Sequence, residues 1–359
     1  MSYIIHPIKY GLPEWYEFRK DYTGGSEIGT ITRINDYGSI IKLFHQKVGL
    51  IEIENITNES MRHGQLLEKY IANEWWMYYD GTIEGTMRNQ DEQLVVRNYD
   101  KIEGFITNEK APYMMASVDG LMRPPVFNLI TGEQINGIGI LECKTISGYV
   151  ADRWKLKIPL YHITQVQQYM FITECEYSEI ALLEDGRKFR VEVIRLDMDI
   201  IEKIVSINTT FWENHILPAK KVYQEYLSCK AKGDLSGMEK CETEIIRLEP
   251  DPDSTDETKD FLTDRFKKEK IRCKGKQVDH QKAIKYDSCN KMIAIITKEK
   301  DRLRNELIKS IVELRSEYMD FDQGYVRLFT KSNSTKPQLA VEVRNELDKE
   351  KNNILEGML

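Results

Sequence analysis

At 359 residues, with 41% hydrophobic and 30% charged residues, the chain can hold one large domain or two modest ones around a real core, and no stretch is apolar enough to span a membrane. Its formal net charge of −7 argues against a uniformly basic nucleic-acid-binding surface, so a phosphate-binding face would have to rest on local basic patches with the acidity segregated elsewhere. The six cysteines are scattered and form no Cys-x-x-Cys, which argues against a zinc ribbon or a disulfide framework and fits reduced thiols in the cytoplasm.

The opening Met1-Ser2-Tyr3-Ile4-Ile5-His6 lacks a basic start and a long apolar core, so no secretory leader is expected. Leu12 to Lys20 reads as a short helix with proline in its first turn. Gly24-Gly25 precede Ser26, the expected N-cap of a helix running through Glu27 to Ile31. Free N–H groups at such a start suit an anion, and Arg19 lies close enough in sequence to add a bidentate charge; an ordinary glycine turn reads the same way. Gly38 to Val48 is a further helix carrying Lys42, His45 and Lys47. Asn58 to Tyr79 has apolar residues at helical spacing, with Asn58 or Ser60 as caps. Inside it, Gly64 is out of place unless another element approaches closely, and Glu68 sits one turn on.

Strands are expected at 82–87, 94–97 and 114–118, the last running into Asp119-Gly120. An acid there is either a turn former or a metal ligand at a strand end. Residues 123–137 have turn chemistry, and Ile138 to Thr145 is an apolar strand. Strand side chains alternate faces, so Glu142 and Lys144 point the same way. Charges on one face of an apolar strand are costly unless they are paired or bind something. Taken alone, Glu-x-Lys is common in charged proteins.

Tyr161 to Thr173 is a helix in which Gln165 and Tyr169, four apart, share a face, either as site groups or as part of a polar stripe. Residues 177–183 and 189–194 flank Asp185-Gly186 as a hairpin, and Asp197 to Leu217 is a helix ending at Pro218. Beyond it lie a charged helical stretch to Leu248, an acidic stretch from Pro250 to Asp256 that reads as a solvated linker, and a basic segment from Phe261 to Lys276. From Tyr286 to Tyr318 near-heptad spacing indicates a helical or coiled-coil arm. Two short strands, 325–329 and 339–343, precede a charged tail. The expected division is 1–218, 219–320 and 321–359.

In order, the chain supplies a helix Glu68, a strand-end Asp119, Glu142-Cys143-Lys144 on a strand, then Gln165 and Tyr169 on a helix. With Trp15 to Arg19 and Gly24 to Ile28 ahead of them, residues 10–218 resemble the PD-(D/E)XK nuclease superfamily, specifically the YqaJ-type viral recombinases and lambda exonuclease-like enzymes. The resemblance implies an α/β (α+β) fold, a central mixed β-sheet flanked by helices, followed here by a helical extension. It implies that Asp119, Glu142 and the main-chain carbonyl of Cys143 ligate Mg2+, for which Mn2+ can substitute, with Glu68 assisting. Lys144 would position and activate the attacking water, and Gln165 would support the site. Arg19, Ser26 and Ser117 would hold a terminal 5′ phosphate. The implied activity is 5′-to-3′ exonuclease digestion of linear double-stranded DNA in phage-type recombination. The implied partners are a single-strand annealing protein and further copies of the chain, as a trimer. A related endonuclease or defence nuclease, or an interaction protein on a nuclease scaffold with the arm as its docking element, remain the other readings.

Overall fold

The computed structural model describes residues 2–53, 59–80, 99–122, 126–127, 134–135, 137–147, 158–265, 276–314, 317–321, 324–329 and 338–343. The strands expected at 82–87 and 94–97 lie outside them. The chain divides into two compact units, Met1–Phe266 and Lys267–Leu359.

The first unit is built on a five-stranded mixed sheet flanked by helices, as expected. In chain order its elements are β1 (Tyr3–His6), α1 (Pro13–Arg19), α2 (Gly25–Ile31), α3 (Ile40–Val48), α4 (Glu59–Asp80), β2 (Tyr99–Asp100), β3 (Phe105–Asn108), β4 (Gly120–Met122), β5 (Val126–Phe127), β6 (Gln134–Ile135), β7 (Gly139–Ile146), α5 (Leu160–Thr173), β8 (Tyr177–Glu184), β9 (Lys188–Arg195), α6 (Met198–Phe211), α7 (Leu217–Lys232), α8 (Leu235–Leu248) and α9 (Asp256–Asp264). The sheet order is β2-β4-β7-β8-β9. The β7–β8 pair is parallel and the other pairs are antiparallel. A parallel pair needs a crossover, and α5 is that crossover.

Alternation along β7 divides the core. Ile140 and Ile146 belong to the main cluster with Val166, Tyr169 and Met170 of α5. Leu141 joins Ile71, Ala72 and Trp75 of α4, with Cys143 and Leu67 packed alongside. Glu142 and Lys144 therefore face α5, while Cys143 and Thr145 face α4. A Cβ on Gly64 would lie 3.9 Å from the Thr145 hydroxyl, an ordinary van der Waals contact, so the approach of α4 to β7 there does not require a glycine.

Residues 114–118 do not form the expected strand. Met114 and Ala116 make isolated bridges to Thr23 and Ile106. Gln168 of α5 explains the geometry, since its Nε2 donates to the carbonyls of Thr23 and Met115, both at 2.9 Å. The strand begins only at Gly120, immediately after Asp119. Nor does Ser26 cap α2. The N-cap is Gly24, whose N–H donates to Glu27 Oε2 at 2.7 Å, and Ser26 is exposed in the first turn.

Pro218 does not end the helical run either. A π-helical turn at Trp212–Ile216 joins α6 to α7, and Pro218, which has no N–H to donate, follows that turn directly in the first turn of α7. The boundary expected at 218 thus lies inside continuous helix, and the first unit extends to Phe266. The acidic stretch after Pro250 docks instead of floating. The Asp251 carbonyl accepts from Arg33 at 2.9 Å, and Asp253 Oδ2 accepts the Ile40 N–H at the start of α3 at 2.8 Å.

The second unit consists of α10 (Gln277–Glu313) and an antiparallel sheet of β10 (Tyr318–Phe321), β11 (Gly324–Phe329) and β12 (Gln338–Val343). The helical arm is present, with three strands in place of the expected two.

Replacing Gln168 with leucine keeps the bulk but removes the donor from two buried carbonyls. The Met115 carbonyl loses that donor at about 1–3 kcal/mol, while the Thr23 carbonyl keeps the Met115 N–H. Gln168→Leu should lower the urea midpoint of unfolding with little change in slope, and an unchanged midpoint would remove the clamp from the account.

Candidate metal centre

The centre forms where β4 stops and β7 continues. Gly120 pairs with Leu141, and continuing that antiparallel register by one residue puts Asp119 beside Glu142. The ladder does not extend there. The Asp119 side chain takes its place, with Oδ2 accepting the Cys143 N–H at 2.7 Å. A strand residue presents its N–H and C=O to the same side, so the Cys143 carbonyl points towards that same open edge.

Glu142 is almost fully buried, at 3% exposure. Its Oε1 accepts from Lys144 Nζ at 2.5 Å and from Gln165 Nε2 at 2.8 Å. Its Oε2 is buried and finds no hydrogen-bond donor among the described residues. A buried carboxylate oxygen without a donor is costly, and a cation would remove the cost. Burial, then the neighbouring Glu142 and more distant Glu68 charges, push the Asp119 carboxyl well above its usual range, against the pull of Lys144 and the Cys143 N–H. Burial, then the Asp119, Glu142 and Glu68 carboxylates, raise the Cys143 thiol well above its ordinary value.

Glu68 reaches this group electrostatically from α4, on the other face of β7 from Gln165. Its Oε1 accepts from Lys101 at 3.3 Å. Among the described residues, no three His, Cys, Asp or Glu side chains lie close enough to hold a metal ion by themselves. The oxygens here that could hold a cation are those of two carboxylates, Asp119 and Glu142, and a main-chain carbonyl. Hard oxygen donors in that number suit magnesium, which binds through one or two carboxylates and keeps several waters.

The three residues expected to hold a phosphate lie on neighbouring segments. Met115 N donates to the Thr23 carbonyl at 3.0 Å, which joins the Gly24–Ser26 turn to the segment bearing Ser117. Ser26 and Ser117 are both exposed. The Arg19 guanidinium lies 4.7 Å above the Trp15 ring and is paired with Glu27. Gly25 brings this turn against α5, since a Cβ there would sit 2.3 Å from the Tyr169 ring. Tyr169 is itself core, and its hydroxyl accepts from Gln165 Nε2 at 3.3 Å.

Sequence reasoning missed the group that fixes Arg19. Lys47 is fully buried, and its Nζ donates to the carbonyls of Arg19 at 2.6 Å and Tyr22 at 2.8 Å and to Glu27 Oε2 at 2.7 Å. Lys47 is therefore a core cation rather than a surface one, and Lys42 is paired with Glu257. Gly24 followed three residues later by Glu27 was a readable capping signal, whereas nothing local distinguishes Lys47 from a surface lysine.

Residues 14–176, which contain every expected site residue, match the YqaJ-like viral recombinase domain. The resemblance read from the motifs is borne out for this part of the chain. A 207-residue stretch is 27% identical to the protein YqaJ of Bacillus subtilis (strain 168), covering 57% of this chain and 56% of that protein, so the match spans about half the length of the curated relative. Among solved structures, the alkaline exonuclease LHK-Exo from Laribacter hongkongensis aligns over 62% of this chain and 99% of its own at 16% identity, with a TM-score of 0.43. A phage-related exonuclease from Haemophilus somnus 129PT aligns over 52% and 91% at 12% identity, with a TM-score of 0.33.

Burial opposes the Glu27 charge, but Arg19 and Lys47 outweigh it and bring the carboxyl from 4.5 down to about 2. A depressed carboxylate stabilises the fold above its unfolded value and loses that contribution as pH falls through the folded one. The shift corresponds to about 3 kcal/mol. Glu27→Gln should thus be less stable than the parent at pH 7, with the gap closing between pH 4.5 and about 2 in urea titrations. A gap independent of pH would show that the charge of Glu27 is not what matters.

Proposed function

We propose that this chain is a magnesium-dependent nuclease that digests linear double-stranded DNA from its 5′ ends, leaving 3′ overhangs for a single-strand annealing protein in phage-type recombination. The observation that carries the reading is the convergence of Asp119, Glu142, Lys144 and Gln165 on the central strand β7 where β4 stops short, with the buried Oε2 of Glu142 lacking a donor among the described residues. The match of residues 14–176 to a viral recombinase domain supports the same class.

In this reading Asp119, Glu142 and the Cys143 carbonyl hold the cation, with Glu68 contributing from the rim. A bound divalent cation lowers the pKa of water and offsets the negative charge that develops on the phosphoryl and leaving oxygens. Lys144, held against Glu142, orients the attacking water and donates to the developing charge. Gln165 fills the remaining demand on Glu142 Oε1 without changing the charge of the site. Arg19, Ser26 and Ser117 receive the terminal 5′ phosphate and so set the register of cleavage. Arg19 can do this while paired with Glu27, because Lys47 leaves the cluster of two cations and one carboxylate with a net positive charge. The resemblance also supports a homo-oligomer, a trimer among family members, in which several copies would share one DNA.

Glu142→Ala and Lys144→Ala should each abolish digestion of end-labelled linear duplex in magnesium while the proteins remain folded by circular dichroism. Cleavage persisting in both purified variants would end the nuclease assignment. The phosphate pocket is tested separately. Linear duplex bearing 5′ phosphates should be digested at least about tenfold faster than 5′-hydroxyl duplex, the factor expected from a lost charge-assisted contact. Covalently closed plasmid should survive. Equal rates on the two ends would remove Arg19, Ser26 and Ser117 from end recognition, and loss of the plasmid would indicate an endonuclease.

A further inference from the structure

The two halves of the phosphate pocket meet at one residue. Thr23 lies between Arg19 and Ser26 in the chain, and each of its polar groups is engaged. Its N–H donates to the Tyr113 carbonyl at 2.7 Å, and its carbonyl accepts the Met115 N–H at 3.0 Å and Gln168 Nε2 at 2.9 Å. Those bonds fasten the turn bearing Ser26 to the segment that runs on to Ser117. The Thr23 hydroxyl oxygen accepts the indole N–H of Trp212 at 2.8 Å, from 189 residues further along the chain. Both side chains are fully buried.

Trp212 supports this junction twice. Its ring stacks on Tyr113, with centroids 5.2 Å apart and planes within 10°. Tyr113 holds a left-handed backbone, φ 59°, which is unfavourable for a bulky residue and persists only where its surroundings fix it. The stacked indole is part of that fixing, and the carbonyl that Tyr113 then presents is the one that takes the Thr23 N–H. Trp212 opens the π-helical turn between α6 and α7, a widened turn of the kind that gathers at functional sites. An indole nitrogen only donates, and once buried it is costly without an acceptor, so the Thr23 side chain is held with its oxygen towards the indole.

We propose that Trp212 is a positioning residue for 5′-end recognition: its N–H fixes Thr23, and Thr23 sets the turn between Arg19 and Ser26 against the segment bearing Ser117. The inference rests on the reading of Arg19, Ser26 and Ser117 as the phosphate pocket. Trp212 touches none of those three among the described contacts, so its effect passes through Thr23 and Tyr113.

The test compares three variants. Trp212→Phe keeps a ring and loses the donor, Thr23→Val keeps the shape and loses the acceptor, and Thr23→Ser keeps the hydroxyl. Three quantities are read: kcat/KM on 5′-phosphorylated and on 5′-hydroxyl linear duplex, Kd for the same two duplexes by fluorescence anisotropy without metal, and Mn2+ affinity by isothermal titration without DNA. The ratio between the two duplexes decides, because a general loosening of the fold lowers both alike. The parent should favour the phosphorylated end about tenfold or more. Trp212→Phe and Thr23→Val should each bring that ratio to about threefold or less, with Mn2+ affinity within about threefold of the parent, since a small misplacement of a binding group is enough to lose its contribution. Thr23→Ser should keep the parent's ratio. A ratio retained in either Trp212→Phe or Thr23→Val overturns the proposal. So does a Thr23→Ser protein as impaired as Thr23→Val, or an Mn2+ affinity that falls together with the ratio. Should Trp212→Phe fail to fold, as judged by its melting temperature, the two Thr23 variants decide: a low ratio in valine alone supports the proposal, and equal ratios in the two refute it. A parent that treats both ends equally would instead remove the phosphate pocket, and the proposal with it. If the parent cuts neither duplex, the proposed function fails while the Kd ratio still reads the role of Trp212.

Discussion

A carboxylate buried in the middle of a sheet is the constraint to which the rest of the first unit answers. Glu142 sits on β7 with apolar neighbours on either side, and a charge in that position is tolerated only with partners. Lys144 and Gln165 satisfy one of its oxygens and leave the other. Each partner requires a different piece of architecture. Lys144 requires extended strand geometry, so that residues two apart face the same way. Gln165 requires the crossover helix to pack flat on that face. Asp119 requires β4 to stop one residue short, so that a side chain replaces a rung of the ladder. The polarity of the centre and the topology of the sheet are thus one problem with one solution.

The neighbouring charge cluster is built on the opposite plan. Arg19, Glu27 and Lys47 come from three different helical segments and satisfy one another almost completely. Lys47 also collects two main-chain carbonyls from the turn between α1 and α2. Removing water from three charges makes each partner indispensable, since any one left alone would be a buried unpaired ion. The cluster holds the Gly24-Gly25 turn rigidly against Tyr169, and through Tyr169 it touches the amide that contacts Glu142. The two polar groups therefore share a wall.

Much of this was legible in the residues, for a definite reason. Strand alternation exposed Glu142 and Lys144 as a pair, and helical spacing put Gln165 and Tyr169 on one face. What local pattern could not show were bonds between distant segments. The strand near Asp119 follows it rather than precedes it, because the backbone of Met115 is spent elsewhere, its carbonyl on Gln168, some fifty residues later, and its N–H on the Thr23 carbonyl. Ser26 looked like a cap, but a glycine with a reciprocal glutamate does the work. Lys47 has the sequence context of any basic helix residue, and only the converging oxygens of Arg19, Tyr22 and Glu27 make it core. The acidic stretch after Pro250 has the composition of a solvated linker, and its anchoring depends on Arg33 and on the start of α3, more than two hundred residues earlier.

That last contact has a consequence for how far the first unit must extend. Helix α3 is fastened at both ends. Asp253 closes its first turn at Ile40, and Lys47 plugs its last turn into the Arg19–Glu27 cluster. It behaves as a short strut between the 250s segment and the turn beside the Asp119 and Glu142 carboxylates. A fragment ending at residue 218 would keep every acid, amide and lysine of the centre and yet lose the foot of that strut. The smallest piece of this chain that can hold its own chemistry in place therefore runs to about α9, well past the last residue of the centre itself.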